Sequence, residues 1–323
     1  MAKRAWALAA AFAVALTIAG CSRKDKQVML VTDQQGTNDH SYSQWAEEAL
    51  REAASEYSFK AKSIVPTSSS GYMDAIAKAA KSHPIYTLIS SPKLENAATL
   101  TAQAYPEEYF VLIDAPGDLN LDGLQDSPNI FSALFSQEQM GYIAGYAAGL
   151  KSAGKAAFIG ENEYVSLIEY ESGFLAGAKA ANPNIETIVK YFPTDMPADE
   201  IKAAVTNLTA QGADIAFSIA ERPEVYAAFE RTSVRFITLS TLPTQPASRV
   251  MTVNKEIGKA VGLIAKEYHE GRFKGQIRRY TASDECVSYT ILDDFYIPKA
   301  LKEKIRSVYS QLGTLDIPMT RQQ

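Results

Sequence analysis

The chain has 323 residues, 46% hydrophobic and 21% charged, a globular composition that argues against disorder and collagen-like repeats. Lys and Arg number 32 against 37 Asp and Glu, and no basic cluster interrupts that balance, which argues against a nucleic-acid surface. Three histidines (His40, His83, His269) and two cysteines (Cys21, Cys286) cannot assemble a Cys/His zinc site at any normal spacing, so no metal and no cofactor is expected.

The first element is an address. Lys3 and Arg4 precede an apolar run, Ala5 to Ala19, broken only by Thr17. It is shorter than the ~20 residues a bilayer span needs, and it reads as a secretory signal. Ile18-Ala19-Gly20-Cys21 resembles the lipobox of bacterial lipoproteins. That implies removal of residues 1–20 and diacylation of Cys21, a lipid anchor on the outer face of a membrane. Residues 21–27 are then a polar tether.

Apolar β-rich runs follow, separated by helical patterns. Strands are predicted at Val28–Thr32, Ala61–Val65, Ile85–Ile89, Tyr109–Ile113 and Ile130–Phe135. Ala46, Ala49, Leu50, Ala53 and Tyr57 share one helix face, as do Met73, Ile76, Ala77 and Ala80. The pattern then restarts, with strands at Ala156–Ile159, Ile188–Phe192, Ile215–Ile219 and Phe236–Leu239. Helices lie between them at Ile168–Ala181, Glu200–Gln211 and Pro223–Arg231. Buried strands alternating with helices form doubly wound parallel sheets. The fold class is therefore α/β with two Rossmann-like lobes. Crossings between them are expected near Phe135-Ser136, Ser248–Val253 and Tyr280–Ser283. Residues 28–134 plus 250–281 form lobe 1, and residues 135–249 plus 282–323 form lobe 2. Ligands of such sheets sit beyond the carboxyl ends of the strands. The loops after Thr32, Ile113, Ile159, Ile219 and Leu239 are the places to look.

Three motifs are decoys. Gly149 to Ala156 nearly matches a phosphate-binding loop, but it precedes a strand where the motif must follow one, and Ala156 stands where Mg²⁺ needs a hydroxyl. It reads as a helix-to-strand turn. Gly141, Gly145 and Gly149 mimic a membrane dimer face on an apolar run half the needed length. They suit a helix packed closely on a sheet, opened by a Ser136/Gln139 capping box. Asp118, Asn120, Asp122 and Gly123 match half an EF-hand loop, but Asn129 replaces the closing Glu, leaving an Asx-rich loop. No Gly-x-Ser-x-Gly elbow is present, so an enzyme is not expected.

The most informative stretch is Asp33-Gln-Gln-Gly36-Thr-Asn38-Asp39-His40-Ser41-Tyr42-Ser43-Gln44. One reading is purely local: Gly36 permits a turn, and Asp39 and Ser41 cap a helix starting near Tyr42. The other is functional. Asp33 and Asp39 are acceptors, Asn38, Ser41 and Ser43 small polar groups, and Tyr42 an aromatic face. Together they suit a flat, hydrogen-bonding heterocycle.

This stretch resembles the Asp-x-Gly-Gly-x-x-Asp-x-Ser-Phe-Asn signature of the basic membrane protein family of bacterial lipoproteins, which includes purine nucleoside receptor A and Med-type proteins. Tyr109 to Ala115, Phe135 to Gly145, Lys155 to Gly160, Glu171 to Gly177 and Gln211 to Asp214 resemble further family segments in the same order. The resemblance implies a type I periplasmic-binding-protein fold with three hinge crossings. It implies capture of a purine nucleoside or base for an ATP-binding-cassette permease. By position, Asp33 would bind the base edge and Tyr42 would stack on it. Tyr170 would be the second stacking ring, Asp114 the cleft floor and Lys255 the residue near the sugar.

There are departures. The family's Gly-Val-Asp-Ser-Asp loop appears as Thr238-Leu-Ser240-Thr-Leu242, without either acid. Ser240 is a weaker acceptor for ribose. Glu221 supplies the lost carboxylate, or the solute lacks a ribose, or the site takes another solute. The rival to transport is a Med-type regulatory lipoprotein acting through a partner protein. A nucleoside-processing enzyme ranks third.

Overall fold

The computed structural model describes residues 26–38, 42–162, 165–220, 222–240 and 248–319. The signal segment, Cys21, Asp39, Ser41 and Glu221 lie outside the described residues. Among the described residues no helix is long and apolar enough to cross a membrane.

The first half runs β1 (Gln27–Val31), α1 (Tyr42–Tyr57), β2 (Lys60–Ile64), α2 (Tyr72–Ala80), β3 (Thr87–Ile89), α3 (Glu95–Ala104), β4 (Phe110–Ile113) and β5 (Ile130–Phe135). The second runs α4 (Gln137–Lys151), β6 (Lys155–Glu161), α5 (Val165–Ala181), β7 (Glu186–Phe192), α6 (Ala198–Ala210), β8 (Ala213–Ser218), α7 (Pro223–Phe229), β9 (Arg235–Leu239) and β10 (Arg249–Lys255). Then come α8 (Ile257–His269), β11 (Gln276–Tyr280), β12 (Val287–Ile291) and α9 (Lys299–Tyr309).

These strands form two six-stranded sheets, ordered β11-β5-β4-β3-β1-β2 and β12-β10-β9-β8-β6-β7. The first is parallel throughout. The second is parallel except for β12, which runs antiparallel to β10. The central strands are buried on both faces, which is why they read as unbroken apolar runs.

The chain passes between sheets at Ser136, at Glu256 and between Tyr280 and Val287. The second passage differs from the expected one at Ser248–Val253, and residues 250–255 leave the first lobe for the second. The reason is hydrogen bonding. β10 is paired on both sides, with β9 and β12, and buries Val250, Met251 and Val253 completely. A strand filled on both edges cannot also be a linker.

Three local expectations are also corrected. Met73 is 46% exposed, and α2 instead buries Tyr72, Ala75, Ile76, Ala79 and Ala80. Both residue sets have helical spacing, and the larger ring of Tyr72 takes the core. The capping box at α4 does not form: Ser136 makes no cap hydrogen bond, and Gln139 Oε1 instead accepts from the Ala282 amide at 2.8 Å. The glycine stripe of α4 packs on a helix, not a sheet. A Cβ on Gly141 or Gly145 would overlap the carbonyl oxygen of Tyr170 or Phe174 in α5. Gly173 and Gly177 approach the α4 backbone in the same way. Such proximity leaves no room for side chains and favours Cα–H···O contacts between the helices.

Two other decoys resolve into structure. The amides of Ala153 and Gly154, which a phosphate loop would aim at a nucleotide, donate to Asp214 at 2.8 and 3.0 Å. In the Asx-rich loop, Asp118 accepts from the amides of Asp122 and Gly123, and Asp126 from that of Leu119. Among the described residues no cluster of three His, Cys, Asp or Glu side chains suits a metal ion.

Candidate solute-binding cleft

In the first sheet, the order reverses between β1 and β3, so the loops after these strands diverge and leave a crevice. Asp33 sits there, 4% exposed, with Oδ1 accepting from the Gln35 amide at 2.9 Å. Lys93, just after β3, donates to Asp33 Oδ2 at 3.4 Å. The hydroxyls of Ser43 and Ser90 share a buried hydrogen bond of 2.9 Å beneath them. Asn38 is exposed and does not join this group.

Tyr42 opens α1 and points its hydroxyl at β4, where Tyr42 Oη donates to Asp114 Oδ2 at 2.7 Å. Asp114 has φ +60°, a left-handed conformation that Asp tolerates better than most residues. Strain of this kind concentrates at functional sites. The carboxylate also receives Lys255, from the end of β10 in the other lobe. Lys255 Nζ lies 3.2 Å from Tyr42 Oη. The same ammonium stands 5.8 Å from the centre of the Tyr42 ring, beyond its hydroxyl edge, and 5.9 Å from the centre of the Tyr170 ring.

Tyr170 comes from α5 and is 2% exposed. Its neighbour Glu171 is also buried and accepts from Tyr191 Oη at 2.6 Å, tying α5 to β7. The Tyr191 ring lies over Gly160, where a Cβ would strike it.

The electrostatics follow from burial. Burial alone would lower the Lys255 ammonium, but the Asp114 carboxylate, with Tyr170 and Tyr42, outweighs it and holds Lys255 well above the ordinary lysine value. Burial and then the Asp114 charge push the Tyr42 phenol well above its usual range. At neutral pH Lys255 is therefore an ammonium and Tyr42 a neutral phenol.

Four of the expected site residues thus meet: Tyr42 and Asp114 from one lobe, Tyr170 and Lys255 from the other. Asp33 lies at the same edge of the first sheet. Ser240 is half-buried at the end of β9 and spends its amide on the Val253 carbonyl at 3.0 Å. Asp39, Ser41 and Glu221 lie outside the described residues. Lys93 was not anticipated, although the loop after β3 is also a strand's carboxyl end and carried the same signal.

Two mainly parallel α/β sheets, joined by three crossings and facing each other across polar strand ends, make the fold of the type I periplasmic-binding proteins. The chain belongs to the Bmp family of PnrA-like ABC transporter substrate-binding proteins, whose model matches residues 26–312. That family is one of binding proteins, not enzymes.

One relative is the ABC transporter nucleoside-binding protein BmpA of Lactococcus lactis, 26% identical over 237 residues, covering 68% of this chain and 66% of that protein. The chain spans less than two thirds of the length of several curated relatives that it matches. Among solved structures, an ABC transporter solute-binding protein from Conexibacter woesei aligns with a TM-score of 0.69 at 18% identity, over 91% of this chain and 98% of that one. A transcriptional activator of the comK gene from Bacillus halodurans aligns with a TM-score of 0.71 at 19% identity, over 90% and 99%.

Proposed function

We propose that this protein is a lipid-anchored, extracytoplasmic solute-binding protein that captures a purine nucleoside or base for an ABC importer by closing its two lobes. The observation that carries this reading is the pair of tyrosines, one per lobe, that converge on one buried polar point. A planar heterocycle between such rings gains stacking, roughly 0.5–1.5 kcal/mol per ring beyond area burial. Asp33 and Asp114 are acceptors for its N–H groups. Two rings and several hydrogen bonds suffice for micromolar binding, about −8 kcal/mol. The nucleoside-binding relative in Lactococcus lactis supports the solute class.

Titration calorimetry with adenosine, guanosine, inosine and adenine tests it. Saturable heat with at least one is expected. Silence across the panel overturns the solute class. The anchor has its own test: Cys21→Ser is expected to move the protein from the membrane to the soluble fraction.

A second reading is a regulatory lipoprotein that acts on a partner protein. It is favoured by the loss of both acids from the 238–242 loop and by the similarity to the comK activator structure. Permease and ATPase genes beside its own would favour transport. A nucleoside-processing enzyme ranks below both, and product formation from a bound nucleoside would revive it.

A further inference from the structure

Lys255 belongs to one lobe by its backbone and to the other by its side chain. β10 is hydrogen-bonded between β9 and β12 of the second sheet. The ammonium is bound to Asp114 and Tyr42 of the first lobe. It is 7% exposed and lies 5.8 and 5.9 Å from the two tyrosine ring centres, beside the point where the proposed function puts the solute.

We propose that Lys255 is a built-in occupant of the cleft: it latches the lobes together when no solute is present, and a solute enters by exchange with it.

The chemistry fits on each side. An ammonium hydrogen-bonded to a carboxylate and a phenol occupies the polar contacts that a bound ligand's N–H groups would make. These contacts exist only when the lobes meet, so they stabilise the closed state over the open one, which is the condition for shifting such an equilibrium. The partner is preformed, because the left-handed backbone of Asp114 and the Tyr42 hydroxyl fix where its carboxylate points. The carboxylate bound to Lys255 lies across the boundary, on Asp114. The consequence is a protein closed at rest, whose apparent solute affinity is reduced by the cost of displacing its own side chain.

This inference rests on the cleft being the solute site, but its test uses no solute. Full-length chain is unfolded and refolded to strip any co-purified molecule, and amide hydrogen exchange is followed by mass spectrometry. In the wild type, peptides covering residues 42–46, 110–117 and 168–175 are expected to be protected. In Lys255→Met the same peptides are expected to exchange roughly tenfold faster, as a local opening would produce, while peptides within residues 137–151 stay unchanged. Asp114→Asn, which keeps the backbone preference of the site, is expected to behave alike, and it decides the matter if Lys255→Met fails to fold. Wild-type cleft peptides that lose protection on stripping, or variants that exchange like wild type, overturn the latch. Neither result bears on whether purines bind, which calorimetry measures separately.

Discussion

Gly145 of α4 lies so close to the Phe174 carbonyl of α5 that a single methyl group on its Cα would overlap that oxygen. The two helices share this contact along their length through Gly141, Gly173 and Gly177. α5 also carries Tyr170 and Glu171, so helix spacing sets the position of one wall of the cleft.

Gly145→Ala is expected to cost about 3 kcal/mol, the upper end of overpacking, because backbone and not a side chain must yield. Gly262→Ala is the control. Gly262 is interior to α8 with open space around its Cα. That change is expected to stabilise by about 0.5–1 kcal/mol through helix propensity alone. Chemical denaturation of both variants checks the contrast; equal effects would show that helix spacing is soft.

The Tyr42 side chain has two separable roles. In the proposed function its ring is a wall of the solute site, and its hydroxyl donates to Asp114. Tyr42→Ala is expected to weaken solute binding more than tenfold, since it removes both, each worth about 1 kcal/mol. Tyr42→Phe keeps the wall and is expected to lose less. Trp45, one turn along α1, is the natural fluorescent reporter. An unchanged affinity in Tyr42→Ala would remove this residue from the site.

Lys93 holds one oxygen of Asp33 while itself remaining 65% exposed. Asp33 is buried, but a 3.4 Å contact to a solvated ammonium is weak and contributes only about 0–1 kcal/mol. Lys93→Met is therefore expected to leave the melting temperature nearly unchanged. It frees Asp33 Oδ2 for a solute N–H, and purine affinity is expected to rise a fewfold. A large fall in affinity would show instead that Lys93 touches the solute.

Alkaline stability has a predictable sign. Burial, then the Asp284 charge, push the Cys286 thiol up from 9.0 to about 12. The folded state thus keeps a proton that the unfolded chain releases. This contribution is fully present below pH 9 and is lost as pH rises toward 12. Burial and the Asp114 charge raise Tyr42 as well, with the same sign at higher pH. Thermal melts from pH 8 upward are expected to fall, and Cys286→Ala is expected to fall less steeply over the first part of that range. Parallel curves would show that the thiol does not contribute.

Much of this molecule was readable from one dimension. The strands of both sheets are covered on both faces, so runs such as Phe110–Ile113 and Phe236–Leu239 announce themselves by unbroken apolarity. The first crossing was readable too, because the apolar pattern stops at Phe135 and restarts. β10 was less so. Its outer positions Thr252 and Asn254 are polar, and Asn254 spends its amide on Ser288 and Thr290 of β12, residues 34 and 36 places away.

Local order along the chain determined the two-lobed α/β design, the aspartate after β1 and the tyrosine that opens α1, because burial on two faces and turn chemistry are properties of neighbouring residues. Which acid meets which base was decided only by tertiary structure. Asp33 finds Lys93 across 60 positions and Asp114 finds Lys255 across 141. A lysine's long stem lets it reach partners on elements distant in sequence, and the closest of them is set by how two sheets come together, which no spacing encodes.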